Sequence, residues 1–212
     1  MKLSHLMIVI LSLVLVARAE LAGAQAVAEK KEAAPVPVPM KEGKVELTPK
    51  NSTVQFIGTH IGPEPNPRIC YFTKFKGVLT IEAATKAPQS AELDIESPSL
   101  ITPIGRLTGH LQSPDFFDVE QFPKATFKTT KIEATDAAAG KYKITGDLTI
   151  RDVKKSISFP TVVKVTDAGA VLMSKFKLKR SELGLTFGPD RIVEEVAMMI
   201  TVGKPTPKVE VQ

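Results

Sequence analysis

Residues 141–150 read Lys-Tyr-Lys-Ile-Thr-Gly-Asp-Leu-Thr-Ile, and every second residue from Tyr142 onward is apolar or Gly. An alternation with a period of two is typical of a β-strand that has one buried face and one solvated face. The same alternation recurs along four further stretches, residues 74–81, 91–96, 156–166 and 172–179. The sequence therefore predicts a chain built from short strands.

The predicted strands are joined by short connections at residues 137–140, 151–155 and 167–170. Connections of this length join antiparallel neighbours, because parallel pairing needs a crossover of about a dozen residues or more. At least four consecutive strands are therefore expected to form a meander between Ala125 and Lys179, and we count about eight strands in all.

An antiparallel sheet of this kind is predicted to close on itself as an eight-stranded barrel, because closure removes the unpaired edge strands. A two-sheet sandwich is the alternative architecture. The stretch 102–119 departs from the alternation, and within it Ser113-Pro114-Asp115 resembles a helix N-cap with Pro in the first turn. One or two short helices are therefore expected there, covering one end of the barrel.

The two ends of the chain differ from its strand-rich part. Residues 1–24 combine a basic start, an apolar run and small-residue cleavage sites, which together predict a secretory signal peptide. Residues 25–44 contain Pro-Val-Pro-Val-Pro and are predicted to be an extended linker. A domain over residues 45–203 and a flexible tail over residues 204–212 complete the expected organisation. We therefore expect an exported protein, located in the periplasm of a bacterium.

The 212 residues contain 28 Lys and Arg, 23 Asp and Glu, and one Cys. One Cys excludes an internal disulfide framework and any metal site that needs two thiolates. The net charge of +5 arises mostly from Lys on the solvated faces of strands, interleaved with Asp and Glu. No combination of aromatic and Arg residues suited to stacking on bases is present, so nucleic acid is not an expected partner.

Few residues suggest chemistry. His60 and His110 follow the predicted signal peptide, and they are compatible with a metal or proton-transfer role or with plain hydrogen bonding at loops. Cys70 ends the Pro-rich loop 61–70, and a free or intermolecular thiol is a simpler interpretation than a catalytic thiolate. The chain has no Gly-rich phosphate loop, Gly-x-Ser-x-Gly elbow or His-Glu-x-x-His motif. We therefore predict no catalytic residues, no metal and no cofactor.

Two longer motifs resemble a known family. They are residues 107–130, which begin Leu-Thr-Gly-His-Leu-Gln-Ser-Pro-Asp-Phe-Phe, and residues 144–159, which begin Ile-Thr-Gly-Asp-Leu-Thr-Ile-Arg-Asp-Val. Together with residues 54–60 and 72–77, they resemble the YceI-like family of polyisoprenoid-binding periplasmic proteins. The resemblance implies an extended lipocalin-like antiparallel barrel, often dimeric, that holds an isoprenoid chain in its interior. The partners that it implies are a hydrophobic long-chain lipid, a second copy in a homodimer and, transiently, a membrane.

The resemblance also implies roles for single residues. His60 matches the family's His at the end of the first strand, and His110 matches the His that precedes its Ser-x-Asp-Phe-Phe element. The stretch 61–70 departs from the family pattern, because it is rich in Pro and ends in an unpaired Cys. The length and headgroup of the ligand are therefore left open.

Alternation predicts which side chains face the interior of the barrel. Phe116 and Phe117 are expected to close one end, and Arg106, His60 and His110 to face a quinone or phosphate headgroup. The alternatives are a core filled by the same side chains without a ligand, a lipid-modifying enzyme that uses His60 or His110, and a ligand-free stress-response protein. The expected function is a periplasmic carrier for a polyisoprenoid or similar long-chain lipid. The predicted lining consists of Phe56, Phe75, Leu79, Ile81, Leu93, Ile95, Phe127, Tyr142, Ile144, Leu148, Ile157, Phe159, Phe176 and Leu178.

Overall fold

The computed structural model describes residues 34–63 and 66–212. The predicted signal peptide, and residues 25–33 of the predicted linker, lie outside the described residues. Within the described part, no helix is both long enough and apolar enough to cross a bilayer. The strands are β1 (Lys44–Leu47), β2 (Ser52–His60), β3 (Asn66–Phe72), β4 (Phe75–Ile81), β5 (Pro88–Glu96), β6 (Leu100–Ile101), β7 (Lys124–Asp136), β8 (Lys141–Ile150), β9 (Val153–Thr166), β10 (Gly169–Lys179) and β11 (Glu195–Val202). The α-helix is α1 (Gly105–Gln112), and two 3₁₀ helices span Ser97–Ser99 and Ser181–Leu183.

All these strands form one antiparallel sheet with the order β1-β4-β5-β7-β8-β9-β10-β11-β2-β3-β6. Strands β7 to β10 are neighbours in sequence and in space, as their short connections predict. Phe127 pairs with Leu148, and Ile144 pairs with Phe159, so these inward side chains share one face of the sheet. The predicted meander is confirmed.

The strands near the two ends of the strand order are continuous in the chain, so the sheet curls into a barrel. β4 continues β3 after two residues, and β6 continues β5 through a 3₁₀ helix. Across these junctions the Thr73 amide donates to the Ser99 carbonyl at 3.1 Å, and the Glu96 amide donates to the Lys74 carbonyl at 3.1 Å. The predicted fold class, an all-β antiparallel lipocalin-like barrel, is confirmed. The predicted number of strands is wrong, since the described residues form eleven strands and not eight.

The helix at one end of the barrel precedes Ser113 and does not follow it. α1 ends where Ser113 is extended, with φ −71° and ψ 170°. Pro114 explains this ending, because the residue before Pro is sterically excluded from the helical region. The Ser113 hydroxyl donates back to the His110 carbonyl at 2.8 Å and closes the last turn. The expectation of a short helix in this stretch is confirmed, and its expected starting point at Ser113 is wrong.

The Pro-rich stretch 61–70 is not a loop throughout, because its last residues belong to β3. This strand pairs with β2, and Pro67 lies opposite Thr59. On its other side β3 pairs with β6 only at Tyr71 and Phe72, so most of β3 is an edge, where Pro is tolerated. The prediction of a loop up to Cys70 is therefore wrong, and this segment forms part of the barrel wall.

The described parts of the predicted linker and tail are hydrogen-bonded to the barrel. The Val36 amide donates to the Gly203 carbonyl at 2.8 Å, and Val38 and Ala170 exchange two backbone hydrogen bonds of 2.9 Å. Alternating Pro favours this arrangement, because Pro keeps the segment extended while each Val retains an N–H donor. In the tail, the Thr206 hydroxyl donates to a β2 carbonyl at 2.8 Å. A free tether and a loose tail are thus wrong for the described residues.

The interior is packed with apolar side chains beneath the N-terminal segment and is less completely filled beneath α1. In the α1 half, Phe56, Phe72 and Phe117 contact one another with ring centroids 5.9–6.0 Å apart. The opposite half is called the filled end here because its side chains pack into one continuous cluster. The buried residues of the filled end are Val38, Val45, Leu47, Leu79, Ile81, Tyr142, Val163, Ala170, Leu172 and Val202.

Candidate functional site

An apolar cavity of about 280 Å³ lies inside the barrel at the end covered by α1. Its wall is formed mainly by inward-facing residues of β2, β3, β8, β10 and β11, by α1, and by the segment 183–192. Eight of the residues predicted from the sequence lie on this wall: Phe56, His60, Ile95, His110, Phe116, Phe117, Leu148 and Leu178.

Three aromatic side chains, Phe127, Phe159 and Phe176, form a layer that we call the aromatic floor. Phe159 stacks on Phe176 with ring centroids 4.3 Å apart and planes at 10°, and the Phe127 centroid lies 5.6 Å from that of Phe159. Gly146 makes room for Phe127, because a Cβ atom at Gly146 would come within 2.4 Å of its ring. Along β10, Phe176 stands between the filled end and Leu178 of the cavity wall. The aromatic floor therefore lies between the filled end and the cavity, although none of its three residues lines the cavity wall.

The other predicted lining residues lie inside or along the barrel, away from the cavity wall. The alternation along a strand predicts which face a residue occupies, but it does not predict the height of that residue in the barrel. These residues are Leu79, Ile81 and Tyr142 in the filled end, Phe75 and Leu93 in the core around the cavity, the three residues of the aromatic floor, and Ile144 and Ile157.

Arg106, which was expected to meet a headgroup, is exposed on α1 and is not part of the cavity wall. The inward side of α1 is formed by Leu107, His110 and Leu111, which do line the cavity. The structure therefore does not place Arg106 on the cavity wall, and its expected role at a headgroup stays a prediction. The arginines that lie on the wall are Arg68, Arg180 and Arg191.

The inward positions of two of these arginines follow from the alternation of the strand sequences. Arg68, Cys70 and Phe72 are alternate residues of β3, so their side chains lie on the same face of the strand. All three line the cavity. Arg180 continues the inward series of β10 two residues after Leu178. Strand alternation thus places both arginines inside, whereas nothing in the sequence pattern indicates the position of Arg191.

Arg180 holds the segment 183–192 in place. Its side chain is only 4% exposed, and its Nη1 donates to the carbonyls of Leu185 and Phe187 at 2.7 Å each. Its Nη2 donates to the carbonyls of Gly188 and Ile192 at 3.4 and 3.3 Å. The fork of the guanidinium thus fixes four carbonyls of a segment that forms one side of the cavity.

Glu194 faces the same guanidinium, with its Oε2 3.9 Å from Arg180 Nε. The Ser181 hydroxyl makes a short hydrogen bond to Glu194 Oε1, and the Ser181 amide donates to the same oxygen at 3.2 Å. The hydrogen bond from the Ser181 hydroxyl, aided by the charges of Arg180 and Lys179, holds the pKa of Glu194 below its ordinary value. Glu194 is therefore ionised at neutral pH and partly balances Arg180.

His110 has a fixed position at the rim of the cavity. Its Nε2 lies 3.0 Å from Asp115 Oδ2, and its ring meets those of Phe116 and Phe187 edge to face at centroid distances of 5.0 Å. His60 is exposed at the end of β2 and also lines the cavity. Among residues 34–63 and 66–212, no group of three or more His, Cys, Asp or Glu is arranged to hold a metal ion.

Cys70 is a free thiol on the cavity wall and is 2% exposed. Its Sγ lies 3.6 Å from the Arg68 carbonyl oxygen. Burial raises the pKa of Cys70 to about 12, because the thiolate would lose its hydration. The thiol therefore stays protonated at neutral pH, which makes it a poor nucleophile.

We expect a maleimide at pH 8 to label native Cys70 more than tenfold more slowly than it labels the urea-unfolded chain. Both the raised pKa of the thiol and its burial slow the reaction. Intact-mass spectrometry over time measures both rates, with free cysteine in the same buffers as the reference and Cys70→Ser as the blank. Equal rates for the native and the unfolded chain would show that the thiol is not buried in solution.

A curled antiparallel sheet around an apolar cavity, filled at one end and covered by a short helix at the other, defines a lipocalin-like barrel. Comparison with protein families gives a more specific assignment. The model of the YceI-like domain matches residues 46–203, and the chain therefore belongs to the YceI-like family.

Relatives in other bacteria share part of the chain. A UPF0312 protein of Shewanella denitrificans is 28% identical over 147 residues, which cover 66% of this chain and 75% of that protein. A UPF0312 protein of Pseudomonas syringae pv. tomato is 31% identical over 98 residues, which cover 46% of this chain and 48% of that protein. The chain thus spans three quarters of the Shewanella relative and about half of the Pseudomonas relative.

Solved structures share the fold. BcnA of Burkholderia cenocepacia has a TM-score of 0.63 at 23% identity, covering 71% of this chain and 94% of that one. The YCEI protein of Campylobacter jejuni has a TM-score of 0.56 at 25% identity, covering 66% of this chain and 85% of that one. A polyisoprenoid binding domain from Saccharophagus degradans has a TM-score of 0.51 at 17% identity, covering 72% of this chain and 94% of that one. At their low identities, BcnA and the Saccharophagus domain indicate a common fold only.

Proposed function

We propose that this chain is an exported binding or carrier protein that holds a polyisoprenoid or similar long-chain lipid inside its barrel. The observation that carries the proposal is the apolar cavity of about 280 Å³ at the α1 end. The Saccharophagus domain, which has this fold and is a polyisoprenoid binding domain, supports an isoprenoid as the ligand. Export is supported by the sequence of residues 1–24.

The wall of the cavity favours an apolar chain over water but not over a membrane. Each methylene group that leaves water for such a wall contributes about 0.8 kcal/mol. A bilayer is equally apolar, so the transfer term nearly cancels when the lipid comes from a membrane. Selection therefore depends on the shape of the cavity and on polar groups at its mouth. Loading and delivery of the lipid then need transient contact with a membrane.

The cavity is small for a long polyisoprenoid. Its volume of about 280 Å³ lies near the lower end of the range of roughly 300–1,000 Å³ that is typical of ligand sites. The aromatic floor separates it from the filled end, which offers no further room. A long lipid therefore fills the cavity with one part of its chain, and the remainder lies beyond the mouth.

Mass spectrometry of bound lipid tests this proposal. The chain is purified without detergent from the periplasmic fraction of a bacterium that exports it, and organic extracts of the protein are analysed. We expect one isoprenoid or other long-chain lipid at close to one mole per mole of protein. The control is the same protein after unfolding in urea and refolding without lipid, which should contain none.

Two outcomes would contradict the proposal. Repeated absence of any stoichiometric lipid in the native protein would exclude the carrier function. Recovery of the chain from the cytosol alone would exclude export.

A further inference from the structure

The outer face of β8, β9 and β10 carries a surplus of positive charge. The structure describes all residues of these strands, and the side chains that point outward include seven exposed Lys and one carboxylate, Asp147. We call this surface the lysine face. Its lysines are Lys141, Lys143, Lys154, Lys164, Lys175, Lys177 and Lys179.

The outer face of β4, β5 and the start of β7 has a different arrangement of charge, and we call it the balanced face. Each of its lysines lies opposite a carboxylate in the register of the sheet, and opposite charges in such cross-strand positions stabilise a sheet. These pairs are Lys76 with Asp94, Lys128 with Glu92, and Lys124 with Glu96.

The register of the lysine face places most of its lysines opposite apolar residues. Val162 and Met173, which lie opposite each other, are 36% and 41% exposed. Exposed apolar side chains thus lie among lysines that gain nothing from cross-strand ion pairs, and an exposed patch of this kind indicates an interaction surface. The pairs are Lys141 with Val162, Lys143 with Pro160, Lys164 with Val171, Lys175 with Met199, and Lys177 with Ala197.

Three of these lysines have no acidic partner. Lys143, Lys164 and Lys175 form no ion pair with another described residue. The hydrogen bond and charge of Lys131, 2.8 Å away, hold the pKa of Glu133 below its ordinary value, and the charge of Lys143 adds to this effect. Glu133 is therefore paired with Lys131 and does not neutralise Lys143.

The other carboxylates near the lysine face do not cancel its charge. Asp167 lies in the exposed turn between β9 and β10. Residues 25–33, which lie outside the described residues, contain two Glu and two Lys and so add no net charge. Seven Lys against four carboxylates leave a net charge of +3. These carboxylates are Asp167 and the ion-pair partners Asp136, Asp147 and Glu195.

The lysine face also contains a seam in the wall of the barrel. The pairing of β9 with β10 ends where Val162 meets Met173, although both strands continue for six residues or more. Beyond that point side chains connect the strands: the Thr161 and Ser174 hydroxyls lie 2.7 Å apart, and two rings of the aromatic floor stack on each other. The apolar interior is therefore separated from this face by side chains and not by a hydrogen-bonded ladder.

We propose that the lysine face is the surface with which this chain docks on a bilayer that contains anionic lipids. This inference rests on the proposed function, because a lipid carrier has to meet a membrane, and it names the surface that does so. Lysines are attracted to anionic headgroups, while their alkyl stems and the exposed Val162 and Met173 fit the apolar boundary beneath. The seam favours a bilayer over an acidic protein, because docking here brings the source of lipid next to the apolar interior.

Co-sedimentation of the purified chain with lipid vesicles tests the charge of this face. We expect vesicles of phosphatidylcholine with about 30% phosphatidylglycerol to bind the chain about 10-fold more tightly than pure phosphatidylcholine does. This preference should weaken as the salt concentration rises, because salt screens exposed charges.

Lys143→Gln/Lys164→Gln/Lys175→Gln should bring the affinities for the two kinds of vesicle within about 2-fold of each other, because it removes the surplus charge. The matched control removes the same net charge from the balanced face and should keep the preference. It is Lys76→Gln/Lys124→Gln/Lys128→Gln. Circular dichroism confirms that each variant is folded.

A fluorescent reporter tests whether the apolar residues of the lysine face enter the bilayer. The chain contains no Trp, so Met173→Trp supplies a single reporter. With the anionic vesicles its emission should shift to the blue, and lipids brominated on their acyl chains should quench it. Val78→Trp is the matched control on the balanced face, where Val78 is 36% exposed, and it should show neither change.

The outcomes separate this inference from the proposed function. Equal binding to both kinds of vesicle, or a preference that survives the triple Gln variant of the lysine face, would overturn the docking surface. Binding to polyglutamate but not to the anionic vesicles would overturn the bilayer in favour of an acidic protein. Stoichiometric lipid in the purified chain would leave the carrier function intact in each of these cases, whereas its absence would contradict the proposed function itself.

Discussion

Replacement of Gly58 by Phe is expected to abolish lipid binding while the barrel stays folded. Gly58 lies on the cavity wall, and a Cβ atom at this position would meet nothing within 4 Å. Its backbone does not have the positive φ that would exclude a larger residue. The new phenyl ring therefore has room to enter the cavity without displacing its neighbours.

The expected size of this effect follows from the volume of the cavity. A cavity of about 150 Å³ accommodates a benzene molecule, so one phenyl ring takes roughly half of the available space. The cavity holds about 280 Å³, and the ring would stand beside Arg68 at its mouth. We expect an affinity for lipid at least 100-fold below that of the wild type and no lipid in organic extracts of the purified variant.

Gly109→Phe is the matched control for this substitution. Gly109 lies on the exposed side of α1, where a Cβ atom also meets nothing within 4 Å, and it does not line the cavity. Both variants should unfold within a few degrees of the wild type, and only Gly58→Phe should lose lipid. Stoichiometric lipid in Gly58→Phe would show that the ligand binds elsewhere.

The architecture was largely predictable from alternation, because each strand of the meander buries one face. Leu148 and Leu178 were assigned to the interior by this rule, and both lie on the cavity wall. The same rule assigned Leu79 and Tyr142 to the interior, but they occupy the filled end. Their height depends on where the N-terminal segment is bound along the barrel. That segment pairs with residues more than a hundred positions away, and no local pattern reveals such pairing.

The polar part of the site was harder to predict, because two local signals led to wrong boundaries. Pro67 suggested a loop, and this concealed the inward position of Arg68 in β3. Ser113-Pro114 suggested the start of a helix, although it ends α1. Because residues 105–112 were not assigned to a helix, the sequence did not indicate which of their side chains face the cavity. Pro and Ser occur at both ends of helices and at strand edges, and tertiary pairing decides between these positions.

Arg180→Gln is expected to lower the free energy of unfolding by about 3 kcal/mol and to weaken lipid binding. Arg180 makes two hydrogen bonds of 2.7 Å, a buried one to the carbonyl of Leu185 and a partly buried one to the carbonyl of Phe187. Hydrogen bonds that involve a charged group contribute about 1.5–3 kcal/mol each, and a shorter neutral side chain cannot reach all of these carbonyls. Urea unfolding measures the change as a shift in the denaturation midpoint, provided that the variant has the same m-value as the wild type.

The loss of binding has the same cause as the loss of stability, since the carbonyls that Arg180 fixes belong to the segment that carries Phe187 and Ile192 on the cavity wall. Arg180→Lys should be intermediate, because an ammonium group keeps the charge but lacks the planar fork. Lys179→Gln, an exposed neighbour, should change stability by no more than about 0.5 kcal/mol. If Arg180→Gln were as stable as Lys179→Gln, the guanidinium could not be what holds this side of the cavity.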